Sequence, residues 1–399
     1  MIIIQKIVRR AFFTITKKLI SKENHIVIYA DNAATTKLDI EAFEAMKPFL
    51  LDEYGNASQL YSFSREPKKA IQKAREKIAA CINAEPKEIF FTSCGTESDN
   101  WALKGTMFVR FDKRSLITTQ VEHHAILNSA AAIEKMGYAV NYLPVDETCT
   151  VLPEFLANTI KNNDAKLVSV MFANNEVGSV QPIENLAQIA HEHGSLFHTD
   201  AVQAVGHLPI NVKKLGVDML SSSAHKFNGP KGIGFLFVKR GVQLGSFMNG
   251  GAQEFGRRAG TENVASIVGM AVALEKNCKK LEEHRKHLLN LENILLESLR
   301  ESNLDFKRNG SSDHVPGNVS LSFKGSDGEM LLHRLDLKGI CVSTGSACNS
   351  KETEISHVLK AMHVPEEYAR GTIRISLGKD NTVEDVQKIA AVLNGILEK

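Results

Sequence analysis

A lysine stands between His225 and Phe227 in the stretch SSSAHKFNGPKGIG, residues 221–234, after a run of hydroxylated residues and before a glycine-rich turn. An amine buried among small side chains loses hydration, which disfavours its charged form, and a neutral amine attacks a carbonyl carbon. A lone buried lysine is also a common ion-pair partner, so Lys226 has to be weighed with its neighbours. Asp200 ends the strand in LFHTDAVQ, with Gln203 three residues on; Gly95 and Thr96 follow Cys94 in CGTES, behind EIFFTS; EHH sets two histidines at 123 and 124. Taken singly, the aspartate is a helix cap or a partner for a protonated nitrogen, and the Gly-Thr pair is a cap or a cradle of backbone N–H groups for an anion. The histidines are structural, or they stack on a ring and move protons. Asn174 and Asn175 in MFANNEVG carry ordinary turn chemistry.

The elements around these residues bring them together. KKAIQKAREKIAACI places Ile71, Ala74, Ile78 and Ile82 at helical spacing. EIFFTS (88–93) reads as a buried strand, and so do KLVSVMFAN (166–174), SLFHTDAV (195–202), DMLSSSA (218–224) and GIGFLFV (232–238). Helix-like ESDNWALKGTMF and IENLAQIAHEHG lie between them. Strands alternating with helices predict a mostly parallel α/β sheet covered on both faces. Residues 264–302 read as one long amphipathic helix leading out of that layer. Beyond it NVSLSF, GEMLLHRLDLKG, TIRISLG and VEDVQKIAAVLNGIL predict a smaller α+β domain. Open sheets bind ligands at the carboxyl ends of their strands, where Lys226, Asp200 and the Gly95–Thr96 turn all fall. A lysine for a Schiff base, an acid for a pyridinium nitrogen and a phosphate cradle are what pyridoxal 5′-phosphate requires of a protein. Together they outweigh the structural reading of each.

Composition narrows the alternatives. The 399 residues are 43% hydrophobic and 24% charged, with a net charge of +2 that gives no reason to expect direct nucleic-acid binding. Six cysteines, at 81, 94, 149, 278, 341 and 348, form no C-x-x-C pair or zinc-spaced cluster, so no metal is expected and a reducing compartment is. No apolar run reaches membrane-spanning length. The first 22 residues hold six Lys or Arg and no acid; a transit peptide, a surface helix and a misassigned start all fit this extension, taken as 1–23. The expected location is the cytoplasm, with an organelle as the alternative.

YADNAATT (29–36), FFTSCGTESDN (90–100), EHHAIL, NNEVGSVQPI, HTDAVQAVG, SSAHKFNGPKGIGFL, RRAGTENV and STGSACNS together resemble the cysteine desulfurase family, from about Tyr29 almost to the end of the chain. These are fold type I pyridoxal phosphate enzymes of the aminotransferase class V group. The resemblance implies a large domain (36–283) with a seven-stranded, mostly parallel sheet, and a small α+β domain (284–399) completed by 24–35. It implies that Lys226 forms the internal aldimine, Asp200 pairs with the pyridinium nitrogen, and His123 stacks on the ring and assists proton transfer; His124 matches no functional position. Gln203 and Asn175 would lie near the phenolic oxygen, Asn175 also near substrate. Thr96, Ser223 and His225 would hold the phosphate with the Gly95–Thr96 backbone, and Thr261 would reach the phosphate of a neighbouring subunit in a homodimer. Arg374 would grip the substrate carboxylate with a fork suited to it.

Cys348, in STGSACNSKETEIS, decides the expected reaction. Its polar surroundings suit an exposed loop, whereas the inert buried reading fits Cys81 better. A thiolate there would take sulfur from L-cysteine, leaving L-alanine and a persulfide. The persulfide would pass to an acceptor protein such as an iron–sulfur scaffold or a thiolation enzyme. Selenocysteine lyase chemistry is the nearest alternative, and a cofactor-binding docking platform for a sulfur acceptor is an alternative of another class. An ordinary aminotransferase has no use for that cysteine. The sequence stops at Lys399 without the longer tail with which some members hold the scaffold, so transfer RNA thiolation or another sulfur pathway stays open as the destination.

Overall fold

The computed structural model describes residues 27–109, 115–344 and 355–398. The N-terminal extension 1–23 and Cys348 lie outside these residues. Strands β1 (Ile28–Tyr29), β2 (Ile89–Thr92), β3 (Ser115–Thr119), β4 (Ala139–Leu143), β5 (Ala165–Ser169), β6 (Leu196–Asp200), β7 (Met219–Ser223) and β8 (Gly234–Val238) are followed by β9 (Phe306–Asn309), β10 (Asn318–Phe323), β11 (Ile340–Cys341) and β12 (Thr372–Ser376). The seven-stranded sheet runs β2-β8-β7-β6-β5-β3-β4. Only β8 is antiparallel to its neighbours, β2 and β7. The fold is α/β, fold type I.

Helices flank this sheet: α1 (Ile40–Leu51), α2 (Arg65–Ile82), α3 (Gly95–Met107), α4 (His124–Lys135), α5 (Pro153–Lys161), α6 (Ile183–Glu192) and α7 (Val264–Lys279). Helix α2 buries Ile71, Ala74, Ile78 and Ile82 along one face. It stops at Asn83, whose left-handed backbone (φ 57°) returns its N–H to the last-turn carbonyls of Ala79 and Ala80. The central strands are buried on both faces, so they read as continuous apolar runs, with Phe197, Phe235 and Phe237 almost fully enclosed. Toward their carboxyl ends the strands turn polar while remaining buried: Thr118 and Thr119, Thr199 and Asp200, Ser221 to Ser223.

A second core gathers α8 (Leu281–Glu301), α9 (Gly328–Asp336) and α10 (Val383–Leu397) around the antiparallel sheet β12-β10-β9. Ile28 and Ala30 pack into this core, and β1 pairs with β11.

Two expectations need correction. The stretch 264–302 is two helices, broken at Lys280 (φ −108°, ψ 15°), whose N–H bonds back to Lys276 and Asn277. The strand read over 166–174 ends at Ser169. The Glu122 carboxylate takes the Met171 N–H at 2.9 Å, and the Asn174 side chain accepts from the Glu176 and Val177 N–H groups in a local turn. Among the described residues no helix is long and apolar enough to cross a membrane, and no group of three His, Cys, Asp or Glu could hold a metal.

Candidate active site

A cavity of about 480 Å³ opens at the carboxyl ends of the strands. Its lining includes Gly95, Thr96, His123, Asn175, Asp200, Gln203, Ser223, His225, Lys226 and Arg374. Thr261 is exposed and is not among the lining residues.

Asp200 is the last residue of β6, and its Oδ1 accepts from the Val202 N–H at 2.9 Å, which fixes the carboxylate. Burial raises its pKa, opposed by nearby His123, the Val202 N–H and Lys226. Lys226 ends the single turn Ala224–Lys226 behind β7. It is half-buried, less enclosed than the sequence led one to expect, and its Nζ donates to the carbonyls of Ala33 and Ala34 at 2.6 and 2.9 Å. Gln203 Nε2 donates to the same Ala33 carbonyl at 3.0 Å, so the NAATT segment is tied to both residues. His225 bonds through Nδ1 to Thr35 Oγ1 at 3.1 Å, and burial, with Lys226 and Lys231 beside it, lowers it to about 4.

Gly95 begins α3, and the Cys94 side chain does not cap it. A Cβ on Gly95 would lie 2.6 Å from Val202 Cγ2 and 3.4 Å from the Ser223 Cβ, so a side chain would fill the space beside the helix N-terminus. Bare N–H groups, Thr96, Ser223 and His225 around that space fit a phosphate. Glu97 steadies the turn: it accepts from the Ser93 N–H at 2.7 Å and pairs with Arg258 through Nε at 2.8 Å. The residues present thus suit pyridoxal 5′-phosphate.

His123 caps α4, its Nδ1 accepting from the Ala125 N–H at 3.1 Å. That bond puts the ring proton on Nε2. Burial lowers its basicity further than Asp200 restores it, with Lys226 and His124 adding to the lowering. Arg374 lies on β12, with Nη1 donating to the Asn175 carbonyl at 2.8 Å and Nη2 to Asp31 Oδ1 at 2.7 Å.

Several lining residues were not singled out in the sequence. Asp31 holds one arm of Arg374. Glu176 accepts from the Ser356 hydroxyl, and burial raises it to about 7 against that bond and Arg374. His357 bonds through Nε2 to the Glu122 carbonyl at 3.0 Å and lies 5.1 Å, ring to ring, from His124, which also lines the cavity. Asp99 lines its base. The available signal was position: Asp31 and Asp99 sit inside the YADNAATT and GTESDN stretches.

Residues 28–389 match the aminotransferase class-V family, and the chain belongs to it. It is 47% identical over 381 residues to a protein named cysteine desulfurase IscS from Methanosarcina thermophila, covering 95% of this chain and 94% of that one. A solved NifS-like protein superposes with a TM-score of 0.88 at 39% identity, covering 93% of this chain and 99% of the other. A structure described as SspA in complex with cysteine gives 0.78 at 35% identity, with 89% and 100% covered.

Proposed function

We propose that the chain is a pyridoxal 5′-phosphate-dependent cysteine desulfurase that takes sulfur from L-cysteine, releases L-alanine and leaves a persulfide on Cys348. The observation that carries this reading is the meeting of Lys226, Asp200, His123, Gly95 and Arg374 on one cavity. When bound, the cofactor supplies an aldehyde that captures amines and a ring that withdraws electrons from the captured amino acid. Lys226 would anchor it, Asp200 would hold its ring nitrogen, and His123 would lie against the ring. Gly95, Thr96, Ser223 and His225 would hold its phosphate, with Gln203 and Asn175 beside the phenolic oxygen.

The chain's own groups orient and protonate the substrate. Arg374 receives the carboxylate, with Asn175 at its side. His123, with its proton on Nε2, donates and recovers protons at the reacting carbon and sulfur. A Cys348 thiolate attacks the substrate sulfur; the Cβ–S bond breaks, its electron pair stays with the substrate, and protonation of Cβ gives alanine. The persulfide then passes to an acceptor such as an iron–sulfur scaffold or a thiolation enzyme. A second copy of the chain covers the exposed apolar residues Leu50, Leu51, Tyr54, Leu60 and Tyr61, and Thr261 reaches that copy's phosphate.

The test is a parallel assay of alanine and sulfide from L-cysteine by cofactor-loaded protein with a thiol reductant, beside selenocysteine. Equal release of both products from cysteine is the expected result. Turnover of selenocysteine alone would move the assignment to a lyase, and no product from either would favour the docking platform.

A further inference from the structure

Both flanks of the segment that carries Cys348 meet at Arg374. On the near flank, Ser343 exchanges backbone hydrogen bonds with Arg374 at 2.7 and 3.0 Å, and Ser343 and Thr344 line the cavity. On the far flank, Ser356 caps the short helix His357–Ala361: its Oγ accepts from the Val358 N–H at 3.0 Å, and its hydroxyl donates to Glu176 Oε2. Val358 and Leu359 pack into the main core behind it, and His357 Nε2 donates to the Glu122 carbonyl at 3.0 Å. Glu176 follows Asn175, whose carbonyl receives Arg374 Nη1 at 2.8 Å. One dipeptide, Asn175–Glu176, therefore touches the arginine with its backbone and Ser356 with its side chain.

The reaction gives Glu176 itself no task, yet this acid is 5% exposed on the cavity wall. A buried carboxyl has to replace its lost hydration with donors or a cation. Arg374 acts on it through charge but spends Nη1 on the Asn175 carbonyl and Nη2 on Asp31. The Ser356 hydroxyl is thus the one hydrogen-bond donor to this carboxyl among the described residues. A serine at a helix N-cap needs only to accept, and its own proton ordinarily goes to water. Here that proton goes to a buried acid, which fixes the first turn of the helix against Asn175. With its proton on Oε1, or with none, the carboxyl offers Oε2 as an acceptor, so the contact does not depend on charge.

We propose that Glu176 is a positioning residue for sulfur transfer: its bond to Ser356 fixes the far flank of the Cys348 segment to the dipeptide that steadies Arg374, so that thiol and substrate are held to one frame. This rests on the persulfide reading above. The near flank is tied through backbone groups, which any side chain at 343 would leave in place, whereas the tie to Asn175–Glu176 depends on two side chains. Ser356 follows Cys348 by eight residues, so releasing that flank lowers the effective concentration of the thiol at the substrate sulfur. Substrate binding rests on Arg374, whose contacts to Asn175 and Asp31 use no side-chain atom of Glu176.

The test separates cysteine binding from sulfur transfer in cofactor-loaded protein without reductant. Binding is read by rapid mixing, from the dependence of the visible cofactor band on L-cysteine concentration. Transfer is read from the rate at which the peptide carrying Cys348 gains sulfur, by alkylation and mass mapping. Glu176→Gln keeps a side-chain carbonyl for the Ser356 hydroxyl and should stay within about threefold of wild type in both readouts. Glu176→Ala removes the acceptor: transfer should fall about tenfold while binding stays within about threefold. Ser356→Gly removes the donor and keeps a residue that helix N-caps accept; it should give the same split, and it stands in if the alanine variant does not fold. An Ala variant that transfers at the wild-type rate, a Gln variant as slow as Ala, or a loss of cysteine binding that matches the loss of transfer would overturn the proposal. Wild-type protein that binds cofactor and cysteine but places no sulfur on Cys348 would overturn the persulfide reading as well.

Discussion

Replacing Arg374 by lysine keeps the charge and removes the fork. The backbone at this position is fixed on two sides: residue 374 pairs with Ser320 across β10 and exchanges hydrogen bonds with Ser343 at 2.7 and 3.0 Å. The side chain is 8% exposed. Its two terminal nitrogens are held by the Asn175 carbonyl and the Asp31 carboxylate, so an incoming carboxylate has to exchange with at least one of them. A charge-assisted hydrogen bond contributes about 1.5–3 kcal/mol. Two such bonds to substrate, less the Asp31 contact given up, leave about 1.5–3 kcal/mol for the fork, and lysine as a single point charge recovers about half. The expected fall in kcat/KM for L-cysteine is therefore about 4–12-fold in Arg374→Lys, carried mainly by KM. Steady-state sulfide release against cysteine concentration measures it, with cofactor content read from the visible band and folding checked by a thermal melt. A change below about threefold in a folded, loaded protein would refute the assignment of Arg374 to the carboxylate. A loss of cofactor with KM unchanged would place Arg374 with the cofactor instead.

Gly95→Ala brings a methyl group to within 2.6 Å of Val202 Cγ2 at the helix N-terminus. Cofactor affinity should fall by about tenfold or more with little change in secondary structure by circular dichroism, and unchanged affinity would mean that the phosphate lies elsewhere. Asp39 caps α1 and binds Lys276 on α7 and Lys379 near the start of α10. Burial raises this carboxyl, but the Lys379 and Lys276 bonds and the Glu41 N–H outweigh it and bring it from 3.8 to about 2. A folded-state value below the unfolded one stabilises the protein above the unfolded value, and that stabilisation is lost as pH falls through the folded one. The melting temperature of wild type should therefore drop more steeply than that of Asp39→Asn between 3.8 and about 2. Parallel curves would remove Asp39 from the account.

What the sequence made legible follows from how each feature is encoded. Lys226, Asp200 and the Gly95–Thr96 turn stand where an apolar run gives way to polar residues, so local pattern locates them at the carboxyl ends of strands. The pairing of Arg374 with Asp31 joins residues far apart in the chain and has no local signature. Asp99, Glu122 and Glu176 are acids, a residue type that sits at the surface by default, and burial of all three emerges only once β3, β5 and β6 are side by side. The break at Lys280 carries neither glycine nor proline, so the helical periodicity runs straight through it. The early end of β5 depends on a side chain, Glu122, arriving from another strand's loop. The neighbouring Cys278, together with burial, pushes the Cys81 thiol up, a proximity that the spacing of the two cysteines does not announce.

The most direct test of the central claim is the fate of the sulfur. Cofactor-loaded protein is given L-cysteine without reductant, alkylated, digested and mapped by mass spectrometry. The account predicts one extra sulfur atom on the peptide carrying Cys348, and Cys348→Ala protein that binds the cofactor yet neither acquires that sulfur nor releases alanine at the wild-type rate. Full alanine and sulfide release by Cys348→Ala, or the extra sulfur on a different cysteine, would contradict it.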